Sequence, residues 1–328
     1  MARERKNQNI THKTDSVDAE CAARVLLSKL GELPDADPQD KYWALRTLVV
    51  RRDNIVKSNT RLKMYLHSLL TQHYPNYREF FTYIDGKTSL AFFKKYPSPQ
   101  TLENVTTQEL ADFLSDVSND IFSTDKAELI MASCENTTTM YQDIRNMTVQ
   151  STIRQMEFNL QEIEQIEDSM ALHYDRFGCT LTSMAGIDLI SASQMLSCIG
   201  DVKRFPTPAK MARYSGIAPV TYASGKKDLQ FSNQRGNREL NSLFFRLAVR
   251  VTSPVGANNK LINKFFYDYF HRKQAEGKTK RQALKCVQRR LVNIIWTMLY
   301  RNEEYVNPPV FDVPEDDDKS KVNKRRGK

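Results

Sequence analysis

The residues best suited to chemistry lie in "MARYSGIAPVTYASGKKDLQFSNQRGNREL", residues 211–240. Two Ser-Gly steps, Ser215-Gly216 and Ser224-Gly225, are followed by Lys226, Lys227, Arg235 and Arg238. A serine hydroxyl can open a phosphodiester by covalent attack if a base or strong positive charge stabilises the phosphorane. Lysine and arginine supply that charge, and glycine lets the backbone come close to a phosphate. On spacing, Ser224, followed by Gly-Lys-Lys, and Ser215 are both candidate nucleophiles. The plainer alternative is turn chemistry beside a phosphate-binding cluster. "QRGNREL" reads as a turn entering a helix, with Asn237 as its N-cap.

A second candidate is "KTDSVDAE". Asp15 and Asp18 are three apart at a helix start, so both carboxylates can face one side and share Mg²⁺, which takes one or two protein carboxylates plus phosphate oxygens and waters. The alternative is local: Asp15 as N-cap, with Asp18 nearly completing a capping box. In "LTSMAGIDLISASQMLSCIGDVKRF" a glycine between two apolar helices gives a helix-hairpin-helix pattern, in which backbone N–H groups near Gly186 can hold a phosphate. Asp188 beside that turn would repel one, and a plain helical hairpin with a glycine cap is the alternative. In "EGKTKRQALKCVQRRLVNIIWTML" Ala283, Val287, Leu291, Ile294 and Ile295 form an apolar face, with Lys280, Arg281, Lys285, Arg289 and Arg290 largely off it.

These residues need elements to hold them, and the pattern predicts a mainly α chain. A short helix over "TDSVDAECAARVLLSKLGEL" stops at Gly31, and Pro34 and Pro38 mark a linker. From about 42 to 73 Leu45, Leu48, Ile55, Leu62, Leu66 and Leu69 repeat at heptad spacing, with Arg52 and Asn59 on the same seam. A second seam runs through Ile153, Met156, Leu160, Ile163 and Met170. The two helices can pair as an antiparallel coiled-coil stalk, with 76–146 as its tip, or belong to an ordinary bundle. The predicted division is 1–40, 41–175 (helical arm), 176–305, and a charged, disordered tail at 306–328.

Composition limits the partners. The formal net charge is +9, and between Lys203 and Arg301 there are 21 Lys or Arg against 4 Asp or Glu. That places a polyanion-binding surface, of the kind that takes nucleic acid, in the C-terminal third. Five scattered cysteines without a CxxC pair favour reduced thiols in the cytoplasm over disulfides or zinc. No apolar run is long enough for a bilayer, so no membrane role is expected.

In this order the motifs resemble the IS-one-ten family of transposases, to which Piv-type DNA invertases also belong. "KTDSVDAECAARVL" is similar to the family's last acidic motif and "LRTLVVRRDNIVKSNTRLKMYLHSLLTQHYP" to its coiled-coil helix. "LTSMAGIDLISASQMLSCIGDVKRFPTPAKMARYSGIAPVTYASG", then "RGNRELNSLFFRLA", are similar to its transposase domain. The resemblance implies an RuvC-like domain whose Asp, Glu and final Asp-x-x-Asp pair bind Mg²⁺, and a serine that links covalently to DNA. It also implies oligomers on donor and target DNA, a guiding bridge RNA and a nucleoid-associated location. Asp15 and Asp18 match the acidic pair and Ser224 the serine. On this reading 1–40 is the end of an RuvC-like domain and 176–305 the serine domain. The family's first Asp and its Glu lie on a preceding segment with the supporting β-sheet, and 12 residues precede "KTD" here. The expectation is therefore a truncated or frame-split product, with an unmet apolar face on the Asp15 helix. Such a chain is either a serine recombinase completed in trans or a catalytically dead remnant that only binds nucleic acid or intact relatives.

Overall fold

The computed structural model describes residues 2–8, 10–28, 30–31, 40–134, 140–224, 227–231, 233, 235–256 and 258–307. The chain divides into two compact units, 1–43 and 44–328. Helices dominate, as the sequence predicts.

In the first unit α1 (Ala2–Asn7) packs against α2 (Asp15–Ser28). Thr14, not Asp15, caps α2: its Oγ1 accepts the Val17 N–H at 3.3 Å. Asp15 is the first helical residue. An Arg24–Glu20 pair braces the exposed face. Cys21 is buried, while Leu26, Leu27 and Leu30 are exposed.

The second unit contains two hydrophobic cores. The long helices α3 (Lys41–His73) and α8 (Gln142–Asp175) each contribute to both. Between them come α4 (Tyr77–Phe80), α5 (Lys87–Lys95), α6 (Thr107–Ser118) and α7 (Thr124–Ala132). These close one core over Leu66 and Leu70 of α3 and Val149, Ile153 and Met156 of α8. It is rich in aromatics: Phe92 and Phe93 meet edge to face at 5.0 Å, and Tyr74 packs edge-on to Phe80. Thr106 and Glu109 form a capping box that starts α6.

The other core takes Leu45 and Val49 from the start of α3 and Met170 and Tyr174 from the end of α8, so the two helices run antiparallel. Polar pairs link them. Arg52 Nε donates to Glu167 at 2.6 Å, and Asn159 Nδ2 donates to Asn59 Oδ1 at 3.4 Å. Both residues that interrupt the apolar seam of α3 thus meet polar partners on α8. The coiled-coil expectation is only partly matched. Leu45, Ile55 and Leu66 are buried, but Leu160 is exposed, and no apolar side chain is fully buried between Ile55 and Leu66 or between Met156 and Met170.

Around the second core α9 (Leu189–Ile199), α10 (Pro208–Tyr214), α11 (Arg238–Thr252), α12 (Lys264–Ala275) and α13 (Lys280–Arg301) assemble. Ala283, Val287, Leu291 and Ile295 of α13 are buried as expected. The strands form two antiparallel hairpins: β1 (Val220–Ser224) with β2 (Lys227–Phe231), and β3 (Pro254–Val255) with β4 (Lys260–Leu261). The first hairpin replaces the loop expected around Ser224. The expected helix-hairpin-helix also differs, because the element before Gly186 is a single 3-10 turn, Leu181–Ser183. Residues 308–328, including the charged tail, lie outside the described residues. Among the described residues no helix is long and apolar enough to cross a membrane.

Candidate nucleic-acid interface

The β1–β2 hairpin stands on a close backbone crossing. Gly216 follows α10 and Gly236 precedes α11. A Cβ added to Gly236 would lie 2.3 Å from both Cα and N of Gly216, far inside carbon contact distance. Hydrogen bonds fasten the crossing. The Asn237 N–H donates to Tyr214 O at 2.7 Å, Asn241 Nδ2 to Ser215 O at 2.8 Å, and Asn233 Nδ2 to Arg213 O at 3.0 Å. Asn237 is the N-cap of α11, as its sequence context predicts, with Oδ1 accepting the Leu240 N–H.

From this base β1 and β2 pair in register from Val220↔Phe231 to Ser224↔Lys227. Ser224 is therefore the last paired residue of β1. Lys226, one of the expected phosphate contacts, lies outside the described residues, and Ser224 and Lys227 are described by their backbone alone. Ser215 is fully buried, and its Oγ donates to Met211 O at 3.0 Å and Ala212 O at 3.2 Å. Its hydroxyl is committed to its own helix, which accounts for it without chemistry.

Beside the crossing lies a cleft of about 430 Å³. Ser215, Gly216, Asn233 and Gly236 form one side. Arg238, Asn241, Ser242 and Phe245 of α11 and Lys285 of α13 form the other. Arg235 and Arg238 are exposed. Burial, with Arg281 nearby, pushes the Lys285 ammonium below its ordinary value. Arg281 is exposed and Arg289 half-buried, one turn to either side. Arg290 instead lies over the Phe265 and Tyr269 rings, at 5.3 and 4.7 Å. Sequence reasoning missed Asn241, Ser242 and Phe245. The signal was their i, i+3, i+4, i+7 spacing with Arg238, which lays them along one face of α11.

Gly186 has φ +103°, and a Cβ there would meet Val251 Cγ1 at 3.0 Å, with Ile262 and Leu247 close by. Close helix packing accounts for this glycine. Asp188 caps α9 through the Ser191 N–H and pairs with Arg250 at 2.8 Å. Burial pulls the Asp188 carboxyl up, but the Ser191 N–H and Arg250 outweigh it, so it sits below the usual carboxylate range. This turn presents a paired carboxylate, not a bare helix end.

Asp15 is exposed and Asp18 half-buried on the same helix. Arg5 Nε lies 3.3 Å from Asp18 Oδ1, an ion pair. Among the described residues no group of three or more His, Cys, Asp or Glu is placed to hold a metal ion. Two carboxylates, one already ion-paired, do not by themselves make a divalent-cation site.

Residues 179–261, which span the hairpin and the cleft residues other than Lys285, match the Transposase IS116/IS110/IS902 family, and residues 1–75 match the DEDD transposase of IS110. The DEDD match points to divalent-metal use by that family. The chain is 23% identical over 299 residues to the insertion element IS116 uncharacterized 44.8 kDa protein of Streptomyces clavuligerus, covering 88% of this chain and 71% of that one. It is 25% identical to the insertion element IS110 uncharacterized 43.6 kDa protein of Streptomyces coelicolor, covering 88% and 70%. The pilin gene-inverting protein of Moraxella bovis is 27% identical over 132 residues, 38% of this chain and 37% of that one. Both motif regions are thus matched in their expected places by models of IS110-type transposases, and the chain is similar to proteins of those insertion elements.

Proposed function

We propose that this chain acts on DNA in the transposition of an insertion sequence, and that Ser224 is its nucleophile. The observation that carries the reading is the hairpin, in which Ser224 closes the ladder opposite Lys227 above a glycine-locked base. The Ser224 hydroxyl attacks a backbone phosphorus and gives up its proton. A phosphoserine ester forms, the bond to one sugar oxygen breaks, and that oxygen takes up a proton. Strand exchange reverses the step with a second sugar hydroxyl. Lys226, Lys227, Arg235 and Arg238 neutralise phosphates, and Gly186 takes part only by packing the fold that carries them.

Similarity to IS110-type transposases supports a bridge RNA as guide, a homo-oligomer as working form and the cytoplasmic nucleoid as location. Asp15 and Asp18 would supply two of the ligands that Mg²⁺ needs. The Arg5–Asp18 pair and the lack of a third ligand among the described residues favour a second reading for this chain alone, nucleic-acid binding without strand cleavage.

The test is incubation with the element's end DNA, guide RNA and Mg²⁺, scored on a denaturing gel for protein–DNA adduct. The expected result is an adduct that Ser224→Ala abolishes with DNA binding intact. An adduct that survives Ser224→Ala rejects the assignment, and DNA binding with no adduct under any condition supports the second reading.

A further inference from the structure

We propose that the cleft beside the Gly216–Gly236 crossing, lined also by α11 and Lys285, holds one unpaired nucleotide of a DNA strand, with its phosphate at Arg238 and Lys285 and its base on the ring of Phe245. This rests on the reading of the chain as DNA-acting and adds where a strand is gripped away from the hairpin tip. The cleft combines parts that a duplex backbone alone does not need. A phosphate requires cations, and Lys285 keeps an ammonium there at a cost in desolvation. The first turn of α11 adds the partial positive charge of a helix N-terminus.

Phe245 is the distinguishing residue. The residue is 46% exposed, yet it sits in a row with Arg238, Asn241 and Ser242, where a solvated helix face would carry a polar residue. An exposed ring beside cations and amides is the equipment of single-strand binding, in which any base can stack on the ring. The cleft volume, about 430 Å³, is in the range of small-ligand sites. In duplex DNA the base faces are covered by their neighbours, so the ring selects a strand with an unstacked base.

The test uses the full chain and fluorescence anisotropy. The probes are a labelled oligothymidylate, its duplex with oligodeoxyadenylate, and oligouridylate of equal length. Phe245→Ala should weaken oligothymidylate binding roughly 5- to 150-fold and leave the duplex unchanged. Phe245→Tyr should restore it. Lys285→Gln should lower the salt slope for the single strand by about one phosphate contact. Circular dichroism and a melting curve show that each variant is folded. Equal losses on single strand and duplex, or no loss on either, overturn the proposal. A larger Phe245 dependence with oligouridylate assigns the cleft to RNA and also overturns it. Binding that ignores Phe245 and Lys285 removes the cleft proposal alone, whereas no binding to any probe removes the DNA-acting reading with it.

Discussion

Gly236→Ala tests the base on which the hairpin stands. The added methyl would lie 2.3 Å from Gly216 Cα and N and 2.9 Å from the Ser215 carbonyl carbon. Carbon atoms pack at about 3.5–4.0 Å, so the two segments must separate by more than about 1 Å. All three obstructing atoms are backbone, and no side chain can swing aside. Separation on that scale breaks the hydrogen bonds that span the crossing: Asn237 N–H to Tyr214 O, Asn241 to Ser215 O and Asn233 to Arg213 O. At about 1 kcal/mol each, the loss is about 3 kcal/mol. Where the damage stays local, the Asn237 amide should exchange its hydrogen roughly 150-fold faster than in the parent, since about 1.4 kcal/mol is a factor of ten. Where it is global, urea denaturation at unchanged m should report the same energy. Ser242→Ala, one turn into α11 on its exposed face, is the control and should stay within about 0.5 kcal/mol. A Gly236→Ala variant with an unchanged Asn237 exchange rate and parental stability would refute the crossing as drawn.

Two more perturbations probe the scaffold. Asp188→Ala should cost about 1 kcal/mol at pH 7 in urea denaturation, by loss of an N-cap. Because the folded carboxyl titrates below its unfolded value, its stabilisation is complete above the unfolded pKa and is lost as pH falls through the folded one. The difference between variant and parent should therefore shrink in acid, where the neutral carboxyl still accepts the Ser191 N–H but its charge is gone, and a gap that stays unchanged there removes the charge from the explanation. For the helix pair, a double-mutant cycle on Arg52→Ala and Glu167→Ala should give a coupling of about 1 kcal/mol, since the pair is half-screened by solvent. A coupling near zero would mean the 2.6 Å contact contributes no stability.

Much of the scaffold was legible because it follows local rules. Asn237 as a cap follows from an Asx residue before a helix, and Arg52 and Asn59 were readable as polar breaks in an apolar seam. Their partners, Glu167 and Asn159, lie 115 and 100 residues away in sequence, and only the fold identifies them. Leu160 fits a heptad on paper yet is exposed, because a straight helix drifts from that repeat when nothing holds it to a supercoil. The β1–β2 hairpin was hidden by composition. Gly, Lys and Ser suggested a loop, although Val220, Thr221 and Tyr222 are good strand formers around a short connection. Gly186 suggested a phosphate turn because its crowding comes from Val251 and Ile262, far along the chain.

The crossing of Gly216 and Gly236 also separates two requirements on the candidate nucleophile. Its reactivity depends on what surrounds the hairpin tip. Its position depends on the base, where the neighbours of the crossing are tied into a continuous core: Met211 and Ala212 on one side, Leu240 and Phe244 on the other. A displacement of about 1 Å at the base moves the whole ladder, because β1 and β2 are paired to their ends. Catalysis is sensitive to misplacement on that scale, by as much as about a hundredfold. Substitutions at the base can therefore lower strand cleavage while every residue at the tip is retained. Loss of activity in Ser224→Ala therefore identifies Ser224 only if that protein keeps the parental Asn237 exchange rate.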